Sequence, residues 1–250
     1  MGRLPNAPLQ EVIFEVRWDL DAQDGTNLLH DPKFEIGLGG LRKLVRDRFP
    51  EVVRKFHESV PVQLLPHTAT WQFRPSPGGW PLIQLGHGVL TVNDTDAAYD
   101  WDTVFHPLIK DALQWLEEAY EGTPAYSMAE LRYIDSVRIK DHGFTDWGTF
   151  VGENLNIAVA NSFNPQGRVV DVGLHQVSEL EQGGRLLLAV NSGKRDKDDA
   201  MIWQTAIHQP GPFDHGSLLE WVDGAHTLSK DVFKDLCKPH FHERFTRPRG

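Results

Sequence analysis

Residues 11–18 read Glu-Val-Ile-Phe-Glu-Val-Arg-Trp, an alternation that puts Val12, Phe14, Val16 and Trp18 on one side and Glu11, Glu15 and Arg17 on the other. Such a segment is a half-buried strand, and it demands a sheet with one apolar face. Further extended segments follow. Thr70–Arg74, the turn Pro75-Ser76-Pro77-Gly78-Gly79 and Trp80–Leu85 form a predicted hairpin. Gly86-His87-Gly88 then predicts a bulge or tight bend before a strand that ends at Asn93-Asp94.

Helical periodicity separates these segments. Leu41, Leu44, Val45 and Phe49 predict a helix over 36–49. From Asp102 to Tyr120 the broad stripe Phe105, Leu108, Ile109, Ala112, Trp115, Leu116 and Ala119 predicts a second, closed by Gly122-Thr123-Pro124. The second half repeats the style. Leu131–Arg138 is extended, Trp147–Leu155 reads as a short helix, and strands are expected at 168–177, 184–191 and 200–208 as antiparallel neighbours. Ser217-Leu218-Leu219-Glu220 has the form of a capping box ahead of a long helix. The expected fold is α+β, an antiparallel sheet or sheets with amphipathic helices packed on one face. It is organised either as two similar lobes, 1–124 and 125–250, or as one continuous domain.

Charge and cysteine content narrow the function. The net charge of −10 is scattered along the chain, which disfavours binding to a phosphate backbone, so nucleic acid is not an expected partner. The single cysteine, Cys237, allows no intramolecular disulfide and fits a reducing compartment, where it reads as a packing residue. The first residues lack the apolar core of a secretion signal, and no apolar run is long enough to span a bilayer. A cytoplasmic protein without membrane contact is expected. The glycines Gly37, Gly39 and Gly40 lack the remaining residues of a nucleotide-binding loop and read as the start of a helix.

Three constellations carry possible chemistry. In the tail, His240 and His242 would share one face of an extended segment, with Asp223 and His226 on the preceding helix, a set that could chelate a metal. The competing reading is a clamp, with Phe241 and Phe245 packed inward and the polar groups of His242-Glu243-Arg244 bonded to the body. A second set comprises Glu11, Glu15, Arg17, Asn93, Asp94, Asp100, Arg132 and Asp135, a mixed carboxylate and arginine cluster if neighbouring strands bring them together. Its catalytic candidates are Asp94, Asp135 and Glu11. The third set is aromatic: Trp80 and Trp101 are natural anchors for a protein partner if they lie near the surface.

Several stretches carry a resemblance: Leu4-Pro5-Asn6-Ala7-Pro8 leading to Glu11–Arg17, Pro77–Gly86, Leu90–Asp94, Tyr99-Asp100-Trp101, Leu131–Asp135 and the closing His242-Glu243-Arg244-Phe245. Together they resemble an uncharacterised, sporadically distributed family of bacterial proteins of similar length. The resemblance implies a bacterial cytosolic protein and transfers no mechanism; sporadic distribution would suit a defence-associated gene. The leading expectation is a non-enzymatic interaction or accessory protein with a protein partner, no cofactor, and self-association as an open possibility. The alternatives are a metal-dependent hydrolase using Asp94, Asp135, His226, His240 or His242, and a nucleotide or small-anion sensor using Arg17, Arg132 and Arg244.

Overall fold

The alternating segment forms β1 (Leu9–Trp18), in which Val12, Phe14 and Val16 are fully buried. The computed structural model describes residues 4–22, 28–57, 59–61, 64–95, 97, 99–158 and 171–247. The short strands β2 (Asp21–Ala22) and β3 (Leu29–His30) make a separate ribbon. Next come α1 (Phe34–Val45), β4 (Glu51–Arg54), β5 (Ala69–Arg74), β6 (Leu82–Gly86) and β7 (Val89–Thr95). A π-helical turn at Trp101–Phe105 runs into α2 (His106–Ala119). The remainder is β8 (Tyr126–Arg138), a 3-10 turn at Ile139–His142, α3 (Trp147–Asn154), β9 (Gly173–Glu179), β10 (Arg185–Arg195), β11 (Asp198–Phe213), α4 (His215–Leu236) and α5 (Pro239–Thr246).

Nine of these strands form one antiparallel sheet in the order β4-β5-β6-β7-β1-β8-β11-β10-β9. The fold is therefore α+β. The first strand lies at the centre, paired to β7 on one edge and to β8 on the other, so the sheet passes unbroken across residues 122–126. Its apolar side carries the helices. Val12, Phe14 and Val16 share the main core with Leu41 of α1, Leu108 of α2 and Leu218 and Val222 of α4. A second cluster joins Val137, Met201 and Trp203 of the sheet to Phe150 of α3 and to Phe241 and Phe245 of α5. Among the described residues no helix is long and apolar enough to cross a membrane.

Several local expectations are corrected by the packing. Of the bulge and the tight bend expected at residues 86–88, the structure has the tight bend: Gly86 pairs with Val89, and Gly88 takes a positive φ of +70° that favours glycine. The capping box of α4 starts earlier than Ser217. Asp214 is the cap, accepting the Ser217 N–H at 2.7 Å while Ser217 Oγ accepts the Asp214 N–H at 3.0 Å. The tail is helical, with Pro239 in its first turn, so His240 and His242 do not share the single face that an extended segment would give them.

The glycines of α1 lie inside the helix rather than at its start, and they permit close approach to α2. A Cβ on Gly37 would collide with the Tyr120 ring, and one on Gly40 would lie 3.0 Å from the Ala119 Cα. Tyr120 is held in place by Asp31, whose Oδ2 accepts from the Tyr120 hydroxyl at 2.8 Å and from Trp18 Nε1 at 3.1 Å. Lys33 N–H donates to Asp31 Oδ1 at 3.0 Å. One buried carboxylate thus ties the end of β1 to the end of α2. Gly37→Ala should lower unfolding free energy by about 1–3 kcal/mol through overpacking. Gly39→Ala, which meets no atom within 4 Å, should raise it by about 0.5–1 kcal/mol. Urea denaturation of the two variants tests the packing, and equal stabilities would contradict it.

Candidate functional site on the helix-free face

Strand alternation sends the odd-numbered side chains of β1 away from the helices, and the register shows what they meet. Glu15 stands opposite Thr91 of β7 and Glu130 of β8. Thr91 faces Gln84, and Gln84 faces Gln72. On the other flank Glu130 faces His208, His208 faces Arg185, and Arg185 faces Glu179. A polar row, Gln72-Gln84-Thr91-Glu15-Glu130-His208-Arg185-Glu179, therefore crosses every strand of the sheet from β5 to β9. Beside it runs a mixed row in which Asn93, Ile13, Arg132, Ala206, Leu187 and Val177 are successive neighbours. None of these side chains belongs to either apolar core, as alternation requires.

The part of the rows on β5, β6 and β7 is held by hydrogen bonds. Gln84 Nε2 donates to Thr91 Oγ1 at 3.0 Å and to Asn93 Oδ1 at 2.9 Å, and Thr91 Oγ1 donates to Asn93 Oδ1 at 2.7 Å. Asn93 Nδ2 donates to Glu11 Oε1 at 2.8 Å, while Gln84 Oε1 accepts from Gln72 Nε2 at 2.9 Å and Lys55 Nζ at 3.2 Å. Gln84, Thr91 and Asn93 are buried, so the satisfied network fixes their side chains in place. At the centre the opposed carboxylates Glu15 and Glu130 would repel, and each is neutralised along its own strand, by Arg17 at 2.6 Å and by Arg132 respectively. Arg74, on the same side, lies 5.2 Å from the centroid of Trp80.

The predicted carboxylate and arginine set is split by this alternation. Glu11, Glu15, Arg17, Asn93 and Arg132 share the helix-free face. Asp94 and Asp135 do not join them: Asp94 pairs in register with Val12, and Asp135 is the register partner of Trp203, both on the helix side.

On that helix side a second polar group forms under α4. The Trp101 indole stacks on His226, with centroids 3.7 Å apart and planes within 5°, and lies parallel to His106 at 5.1 Å. Burial, with Lys230 and His106 nearby, lowers the His226 pKa to about 3, so its imidazole is neutral. Burial likewise keeps the Tyr133 hydroxyl protonated, and it shares a 2.7 Å hydrogen bond with His226 Nδ1 and a 3.0 Å bond with the Tyr99 hydroxyl. His106 Nε2 lies 3.3 Å from Asp223 Oδ1, which takes Asp223 out of the proposed chelating set. Asp135 is buried, and desolvation lifts its pKa to about 7. Cys237 is pushed up to about 12 by burial and by Asp135, a thiol without nucleophilic character at neutral pH.

His226 packs against Trp101 and Tyr133, whereas His242 packs against Phe233, two turns further along α4, and His240 is exposed. The three histidines do not converge, and among the described residues no group of three or more His, Cys, Asp or Glu side chains could hold a metal ion. Arg244 also lies apart from Arg17 and Arg132, bonding His142 Nδ1 at 2.9 Å. The tail docks through Phe241 and Phe245, and through Asn6, whose N–H donates to Phe245 O at 3.1 Å and whose side chain donates to Arg244 O at 3.3 Å.

Sequence reasoning missed Gln72, Gln84, Glu130, His208 and Arg185 as members of one row. Each occupies a polar position on a different strand, and only the register aligns them. It also missed Tyr99, Tyr133 and His106, whose spacing in the chain carries no signal. A scan of the chain against protein-family models finds no match, and a search among curated proteins finds no similar sequence.

The raised Asp135 pKa has a consequence for stability. The folded protein holds this proton more tightly than the unfolded chain, so its contribution to stability is complete below about pH 4 and is lost as pH rises through about 7. Asp135→Asn keeps the shape without the charge. Its stability relative to the parent chain should grow between about pH 4 and about pH 7, by up to about 1.4 kcal/mol per pH unit, and level off above. Chemical denaturation across that range checks it; a difference independent of pH would show that Asp135 ionises without penalty.

Proposed function

We propose that this chain is a non-enzymatic interaction or accessory protein that binds a protein partner through the helix-free face of its sheet. The observation that carries the reading is the polar row crossing from β5 to β9, flanked by the apolar members of the mixed row. Large antiparallel sheets can expose one face to water, and such a face needs only scattered polar residues. Here the polar groups are aligned, those from Gln72 to Glu130 are tied by hydrogen bonds or ion pairs, and Ile13, Leu187 and Val177 lie alongside the row, with Val177 half exposed. Fixed polar groups beside apolar ones suit a protein surface, because little side-chain entropy is lost on contact. The resemblance to an uncharacterised bacterial family supports a bacterial cytosolic setting, and its sporadic distribution supports a defence-associated role.

A small-anion reading has less support, since Arg17 and Arg132 are already neutralised by Glu15 and Glu130. The metal-dependent hydrolase reading loses its ligand set, because His226, His240 and His242 lie apart.

The test is a double variant, Arg17→Gln with Arg132→Gln, used as bait in the native host. Both arginines are about a third exposed or more, so folding should lose only about 1 kcal/mol or less for each pair. Affinity for the specifically captured partner should fall about tenfold or more. A control, Arg46→Glu at the C-cap of α1 and outside the sheet, should retain the partner. Equal capture by all three proteins would remove the helix-free face from the interaction.

A further inference from the structure

The two edges of the sheet are built differently. β4 at one edge is four residues long, carries Glu51 and Arg54, and is flanked by Pro50 and Lys55, the usual protections against pairing with another strand. β9 at the other edge is seven residues long, pairs with β10 in unbroken register without a bulge, and contains no proline and no lysine. Its only formally charged residue, Glu179, is at its end. Among the described residues no strand pairs with its outer edge.

The ladder shows which backbone groups that edge presents. Val172 O accepts from Ser192 N–H at 2.8 Å and Leu180 N–H donates to Gly184 O at 3.1 Å, so the even-numbered residues point toward β10. The N–H and C=O groups of Gly173, His175, Val177 and Glu179 therefore point outward.

We infer that β9 is a self-association edge, on which the β9 of a second copy of this chain pairs antiparallel about a two-fold axis through Gln176. That register is self-complementary. His175 exchanges hydrogen bonds with Val177 of the second copy, and Gly173 with its Glu179, so all four outward residues are satisfied at once. Charge selects the occupant. A chain of net charge −10 repels its own copies over most of its surface, whereas this strand brings no two like charges opposite each other: Glu179 meets a glycine. On the helix side the end of α4 leaves a groove of about 440 Å³ beside β9, lined by Leu174, Leu188, Val232 and Leu236 among others. The Leu174 and Gln176 side chains of the second copy enter from that side. The axis is perpendicular to the sheet, so both helix-free faces point the same way. The inference stands on the edge and is independent of the partner proposed above.

The test is mass in solution by light scattering and sedimentation equilibrium. The expected result is a species of twice the 28.3 kDa chain mass at tens of micromolar. Val177→Pro deletes an outward donor that no strand among the described residues uses, and Val177→Lys adds a charge to the edge. Both should give monomers with an unchanged circular dichroism spectrum and a thermal midpoint that no longer depends on protein concentration, while Val53→Lys on the protected β4 edge should remain dimeric. A parent chain that is monomeric at about 100 μM overturns the inference, as does a Val177→Pro variant that folds and stays dimeric. Arg17→Gln with Arg132→Gln should leave the mass unaltered, which separates this edge from the face.

Discussion

The central placement of β1 is the constraint on which the remaining structure depends. It is hydrogen-bonded along both edges, to β7 and to β8, and among the described residues it is the only strand that joins the β4–β7 meander to the strands of the second half. Val12, Phe14 and Val16 are completely buried, each contributing about 1.5–3 kcal/mol of transfer free energy. Because the side-chain period of a strand is two, a slip of one residue would exchange those side chains with Ile13, Glu15 and Arg17. It would place a carboxylate and a guanidinium in the main core. The register of the middle of the sheet is therefore set by burial, and the strands on either side inherit it.

That register generates two chemically different faces. The helix side collects the large apolar residues of five helices, and the opposite side collects polar residues from strand after strand. The two arginine and glutamate pairs show how the second face tolerates an unfavourable contact. Glu15 and Glu130 are direct cross-strand neighbours, and Arg17 and Arg132 offset the repulsion from two residues away on the same strands. The amide network of Gln72, Gln84, Thr91 and Asn93 adds fixed donors and acceptors on the adjoining strands. The four ionised groups at the centre of this face are thus paired to one another.

The polar group beneath α4 has another role. Tyr99, Tyr133 and His226 form a chain of hydrogen bonds between the sheet and the helix, capped by the Trp101 stack. A buried neutral imidazole hydrogen-bonded to a buried hydroxyl leaves no unpaired charge, and it gives α4 one rotational setting that apolar packing alone would leave less defined. The same burial that keeps His226 neutral lifts Asp135 toward neutrality. Both groups have pKa values governed mainly by desolvation rather than by a charged partner.

Much of the local structure was legible in the chain. The alternation of β1, the apolar stripe of α2, the 70–85 hairpin and the long helix after residue 214 all follow from side-chain periodicity, which acts over a few residues. The errors have local causes too: Asp214 competes successfully with Ser217 as the cap, and the tail becomes a helix because Phe241 and Phe245 must both reach the second core. Glu11, Arg17 and Arg132 were recognisable as candidates, and the sheet does bring them to one face. Their separation from Asp94 and Asp135 was not recognisable, because the face a strand residue occupies depends on the parity of a register set by distant strands. The sequence by itself determined which segments are strands and helices and which side of each is apolar. Only the tertiary structure decided strand order, the eight-residue polar row and the contrast between the two edges, because cross-strand pairing joins residues with no fixed spacing in the chain.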